Sequence, residues 1–214
     1  MLSCAGPGEE EPEAARLWRI SAAYNLSASD LFLFGDTEHE AALRRRAISA
    51  GAEYQVAEQW NLSLSGGASL GGDLTVEGTR HDLKPGPVGS LAASYRILDG
   101  REEYLPFLLF GMALSASSVM TESSTASARF TTVDFRAALT VGKLFFDALA
   151  PYATLRGFGG PIFWELDGEN VSGTDKYHFQ LGAGVLVTAG VVDAFFEIVP
   201  LGERSVTVGA AVAF

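Results

Sequence analysis

The sequence has a single cysteine, Cys4, which excludes an internal disulfide framework. It also lacks any apolar run near the roughly 20 residues that a membrane-spanning helix requires. The longest, around Leu105 to Ala116 and Leu181 to Val192, stop well short, and Pro106 interrupts the first. Basic charge is scarce: 15 Lys and Arg face 26 Asp and Glu, a formal balance of −11. A nucleic-acid footprint would be basic and clustered, so no nucleic-acid partner is expected. Motifs for covalent or phosphoryl chemistry are missing too, with no Gly-x-Ser-x-Gly elbow, no phosphate-cradling loop and no Cys/His metal spacing. Gly66-Gly67 and Gly71-Gly72 flank an alternating stretch instead of opening a helix, which argues against a nucleotide site. The expectation is no cofactor, no metal and no enzyme. The start, Met1-Leu-Ser-Cys, lacks the charged residues and long apolar core of a secretory leader, so export would need one upstream of Met1.

What the sequence does contain is alternation. Of its 214 residues 48% are apolar and only 19% charged, enough for one folded domain of residues 16–214 behind an acidic, disordered tail of residues 1–15. The last stretch sets Val206, Val208, Ala210, Val212 and Phe214 against Ser205, Thr207, Gly209, Ala211 and Ala213. That is the period-two pattern of a strand with one apolar face. Trp18, Ile20, Ala22, Tyr24 and Leu26 alternate in the same way with Arg19, Ser21, Ala23, Asn25 and Ser27. Comparable stretches recur near residues 47–56, 60–70, 90–97, 105–118, 132–141, 151–165, 177–185 and 194–199, about ten strands in all. Between them brief turns, such as Ala57-Glu58-Gln59 and Asp99-Gly100, take turns with longer polar connections. Aromatic residues, among them Trp18, Tyr54, Trp60, Tyr95, Tyr152 and Trp164, cluster near strand ends, as in the girdles at a membrane's two interfaces.

Periodicity alone does not say which face looks inward. The closing strand with its terminal Phe214 resembles the C-terminal assembly signal of bacterial outer-membrane barrels, carried here by Val208, Val212 and Phe214. The stretch from Arg156 through Phe158-Gly159-Gly160-Pro161-Ile162 to Trp164 resembles a pattern in uncharacterised small outer-membrane barrels of Gram-negative bacteria. Gly173-Thr174-Asp175, His178 and Pro200-Leu201-Gly202-Glu203 extend the likeness over roughly the last third of the chain. The resemblance implies an outer-membrane location and a fold, without an activity. Asn-His-x-Ser, the local pattern of outer-membrane phospholipases, is absent. The expected fold is all-β: a closed antiparallel up-and-down transmembrane β-barrel of about ten strands. Gly159-Gly160-Pro161 within a strand predicts a bulge or a close backbone approach.

With apolar faces outward, the lumen receives Arg19, Glu53, Arg96, Asp134, Arg136, Arg156, Gln180, His178 and Glu197. Burying these charges singly would cost several kcal/mol each (roughly, in low dielectric), so a network of Arg–carboxylate pairs is expected to fill the lumen. His178 with Asp175 and Glu197 is the best candidate for a catalytic constellation, set against a satisfied lumenal histidine. His39 and His81 fall in polar connections. Arg44 and Arg46 share the lipid-facing parity at the outer end of the second strand, which suggests contact with lipopolysaccharide phosphates. Leu2-Ser3-Cys4 faintly resembles the end of a lipoprotein cleavage site, where Cys4 would be acylated. The functional expectation is a largely plugged outer-membrane barrel with a structural or interaction role. Its partners would be outer-membrane lipid, lipopolysaccharide and the barrel assembly machinery. The alternatives are a narrow porin-like channel, a barrel enzyme acting on lipid or peptide, and a soluble lipocalin-like barrel with an apolar ligand inside.

Overall fold

The computed structural model describes residues 17–35, 38–100, 104–123, 127–166 and 169–214, so the acidic tail and Cys4 lie outside it. The strands are β1 Trp18–Phe34, β2 Glu38–Ala57, β3 Trp60–Val76, β4 Thr79–Leu83, β5 Gly86–Asp99, β6 Phe107–Glu122 and β7 Ser127–Gly142. They continue as β8 Leu149–Gly159, β9 Ile162–Leu166, β10 Glu169–Asp175, β11 Phe179–Ala189, β12 Val192–Leu201 and β13 Arg204–Ala213. All pairings are antiparallel, and β13 returns to β1 from Arg19↔Ala213 to Ala28↔Arg204, which closes the sheet into a barrel.

Three of the ring's members are interrupted. β4 and β5 together lie between β3 and β6; β8 and β9 follow one another along β7; β10 leads into β11 past Lys176 to His178. Counted as staves, the ring has ten. The interruption before β9 has a local cause: a Cβ at Gly160 would lie 1.9 Å from the Val133 carbonyl oxygen, while Pro161 accepts the Val133 N–H at 3.1 Å. Two backbones meet here at a distance only glycine allows.

The ring changes width along its axis. The β12–β13 hairpin turns at Leu201 to Glu203, short of its neighbours. Gly202 makes the turn at φ +83°, and a Cβ there would lie 1.8 Å from the Phe179 carbonyl oxygen. Past that turn β1 takes a new partner, with Leu31↔Asp175 to Phe34↔Ser172 on β10, after Lys176 N–H donates to the Asp30 carbonyl at 2.8 Å. Ten staves therefore narrow to eight: β1, β2, β3, β4, β6, β7, β9 and β10. The interior of an eight-stranded barrel is just wide enough for side chains to fill. It is filled by Leu31, Leu33, Leu43, Leu74, Phe130 and Trp164 with their neighbours, and all eight staves contribute to this cluster. The acidic residues Glu38, Glu40, Asp82 and Glu122 of this cap are exposed. Lys84–Glu122 at 2.7 Å and Lys176–Glu40 at 2.8 Å join its outer surface, and the carboxylates raise both ammonium pKa values above the ordinary one.

The long polar connections expected on this side are thus largely strand, continued out of the membrane. In the ten-stranded belt below, the apolar face is outside: Trp18, Leu62, Phe135 and Val208 are each exposed, which removes the lipocalin-like alternative. Trp18 stacks near Tyr54 at 4.8 Å and Trp60 near Tyr95 at 4.9 Å, forming a girdle at the turn end. Two aromatics expected in the girdles are placed otherwise. Trp164 is buried inside the cap and Tyr152 points into the lumen, because each shares parity with inward neighbours on its strand.

Candidate functional site: the charged layer of the lumen

Directly beneath the cap, the belt's interior becomes ionic. The tight turn at Gly202 folds Glu203 inward, where its carboxylate accepts from Arg136 Nη2 at 2.7 Å and from Gln180 Nε2 at 2.6 Å. Arg136 Nε donates to Asp134 on the same strand, and its guanidinium lies 5.3 Å from the ring centre of buried Phe158. Arg45 enters from the opposite wall and donates from Nη1 to Ser117 Oγ at 3.1 Å, with Ser117 in turn 2.8 Å from Thr132. One layer lower, Arg156 Nη2 donates to both oxygens of Glu197 at 2.8 and 2.7 Å, and Tyr152 adds its hydroxyl at 3.2 Å. Near the turn end Arg19 pairs with Asp193, which also accepts from Thr188 at 2.6 Å.

These side chains come chiefly from β1, β7, β8 and β11 to β13. Apart from Arg45, Glu53 and Arg96, the facing wall of β2, β3, β5 and β6 lines the lumen mostly with small residues, among them Ser49, Ser63, Ser65, Ser90, Ser94, Ala113 and Ser115. Small residues on one wall make room for long ones from the other. The serines are only half-buried, so the space beside them is wide enough for water. Such an arrangement can hold charge, fix strand register and coordinate water. Among the described residues no group of three or more His, Cys, Asp or Glu side chains is placed to hold a metal.

Of the residues expected here, Arg19, Glu53, Asp134, Arg136, Arg156 and Glu197 lie on the inner face in the belt. Glu53 stands opposite Arg19 in register, although Arg19 reaches Asp193. Arg96 lies inward and half-buried, and among the described residues makes no ion pair. His178 is a correction. It lies in the interruption between β10 and β11 and is exposed, beside Gly159, because the regular ladder of that stave with β8 starts only at Phe179↔Gly157. It does not join Asp175 and Glu197 in the lumen. His81 is also relocated, from a polar connection to the cap's interior, where it meets Trp164 edge-on at 4.9 Å. Sequence reasoning missed Arg45, Asp193 and Glu203. Arg45 was readable as the odd residue between two outward arginines, whereas Glu203 sits in what reads as a surface link. Arg44 and Arg46 are exposed on the outer face, as are Val208, Val212 and Phe214.

A closed up-and-down barrel with apolar residues outside, ions inside and an aromatic girdle is a transmembrane β-barrel of the outer-membrane class. Its fold is similar to that of the outer membrane protease OmpT from Escherichia coli, with a TM-score of 0.60 at 10% identity over 94% of this chain and 98% of the other. It is also similar to the outer membrane protein OprG from Pseudomonas aeruginosa, with a TM-score of 0.52 at 12% identity over 92% and 95% of the two chains. No family model matches the chain, and no curated protein matches it in sequence.

Proposed function

We propose that this protein resides in the bacterial outer membrane as a barrel closed at its capped end, and that it acts through its surfaces and not by conduction or catalysis. The observation that carries this reading is the cap. Eight staves converge on one apolar cluster in which Leu33 and Leu74 have no exposed surface. The charged layer beneath adds a second barrier of paired ions. Outer-membrane lipid and lipopolysaccharide are the partners that suit the belt, and the barrel assembly machinery suits the exposed edge residues Val208, Val212 and Phe214. The similarity to a protease is one of fold, and fold alone carries no chemistry. With His178 outside the lumen, the catalytic constellation considered from sequence loses its geometry.

The half-buried serines of the belt favour one second reading, a narrow channel whose cap opens. Reconstitution into planar bilayers separates the two. The closed barrel is expected to give no stepwise current in molar salt up to 150 mV (roughly the membrane's tolerance). Regular steps from the pure protein would replace it with the channel.

A further inference from the structure

On the outer face, one patch carries an excess of positive charge, with Arg44, Arg46, Arg80 and Arg204 around the single carboxylate of Asp73. Ala28 pairs in register with Arg44 on β2 and with Arg204 on β13, so the two arginines stand on one rung with only a methyl group between them. Arg46 stands two residues lower, on the rung of Leu26 and Val206. All three are exposed, and among the described residues none makes a hydrogen bond or ion pair through its side chain. Arg80 nearby is different, since Asp82 holds it at 3.0 Å and Asp73 at 3.8 Å. The three arginines border a hollow of about 640 Å³ whose remaining lining includes Leu26, Ile198, Pro200 and Val206, with Arg80 and its partner Asp73, which stands in register with Arg44, at one side. It lies at the step where the ring narrows, beside the short β12–β13 turn.

The height of this rung is fixed from both sides. Below it the outward residues are apolar, including Ile48 and Val208; above it come Asp30, Glu40 and the cap with its apolar interior. The arginines therefore stand at the headgroup level of the leaflet on the capped side. Guanidinium groups bind phosphate oxygens through paired N–H donors, and clustered cations at a membrane border attract anionic lipid.

We propose that the hollow is a binding site for a phosphorylated glycolipid, with its phosphates held by Arg44, Arg46 and Arg204 and the first part of an acyl chain lying along Leu26, Ile198 and Val206. The site rests on the membrane placement in the proposed function, and is independent of whether the lumen conducts.

The protein refolded in detergent micelles is mixed with diphosphoryl lipid A, with lipid A stripped of both phosphates, or with inorganic phosphate. Lipid retained after size-exclusion chromatography and the midpoint of heat-dependent gel mobility are then measured. Diphosphoryl lipid A is expected to be retained and to raise the midpoint. The triple variant Arg44→Ser, Arg46→Ser, Arg204→Ser should cut retention at least fivefold (roughly one lost contact's worth or more), while Arg129→Ser, on the outer face of β7 and outside the hollow, retains the wild-type amount. Should the triple variant fold poorly, Arg204→Ser alone must still lower retention at least twofold (about what one contact of three supplies). Equal retention by the arginine variants, or of the dephosphorylated lipid, overturns the site. A midpoint shift reproduced in full by inorganic phosphate makes it a simple anion site and overturns the lipid.

Discussion

Below Ala28 and Arg44 the staves of this barrel turn their apolar side out; above Asp30 the same staves turn it in. On β1 the inner positions run Arg19, Ser21, Asn25 and Ser27, then Leu31 and Leu33, without a change of parity. β2 behaves likewise, with Glu53, Ser49 and Arg45 followed by Leu43 and Ala41. β3 does shift parity at the inversion, through a bulge at Gly71, whose φ of +103° few other residues adopt. Backbone geometry therefore does not decide what faces the axis. The surroundings decide: a lipid bilayer accepts apolar side chains outside, while water drives them inward at about 25 cal/mol per Å². The narrowing from ten staves to eight makes the inward choice workable, because only the smaller ring can be packed solid.

The largest expected effect that tests this contrast lies in the cap. Phe130→Ala removes a fully buried ring from the apolar cluster, a change of about 3–5 kcal/mol in a well-packed interior. If cap and belt are separately stabilised, limited proteolysis will cut the variant within residues 28–45 or 70–83 while the belt keeps its heat-dependent gel mobility. Simultaneous loss of both would show that the two regions unfold as one.

A smaller effect tests the belt. Leu64 is 65% exposed at mid-height on β3, facing outward. In vesicles, Leu64→Lys is expected to cost about 2–4 kcal/mol in urea unfolding, the usual penalty for a cation near the bilayer midplane. Ser172→Lys, on the outer face of the cap, should change stability by less than about 0.5 kcal/mol. Equal, small effects at both positions would mean that water, not hydrocarbon, surrounds Leu64.

The contrast also explains what was legible in the sequence. Strand number, closure and the outward parity of Trp18, Phe135 and Val208 follow from alternation, because a strand wet on one side and greasy on the other records both environments. The cap is hidden from the same reading. Asp30, Glu38 and Glu40 have the composition of a loop, and only the solvent outside them turns that composition into the outer face of a strand. The lumenal charges were readable wherever they sit mid-strand, as with Asp134, Arg136 and Arg156. Glu203 was not, since its inward aim depends on Gly202 adopting a left-handed turn beneath Phe179. His178 failed for the opposite reason: parity was extended across an interruption that the sequence marks only weakly.

The smallest effect separates the forces within the cap itself. Trp164 Nε1 donates to Thr121 Oγ1 at 2.9 Å, and its ring meets His81 and Phe130 edge-on at 4.9 and 6.4 Å. Trp164→Phe removes the donor and part of the ring, but Thr121 still donates to the Ala128 carbonyl at 3.1 Å, so its hydroxyl is not stranded. A net hydrogen bond between neutral groups is worth about 0.5–1.5 kcal/mol, so a loss near 1 kcal/mol is expected in denaturant melts. In the belt, by contrast, truncating one member of the Arg156–Glu197 pair would leave an uncompensated charge, and the cost of that is about 3–5 kcal/mol. A Trp164→Phe loss of that larger size would place the cap under the belt's rule, with polar contacts holding it, and would remove apolar packing as what holds the cap together.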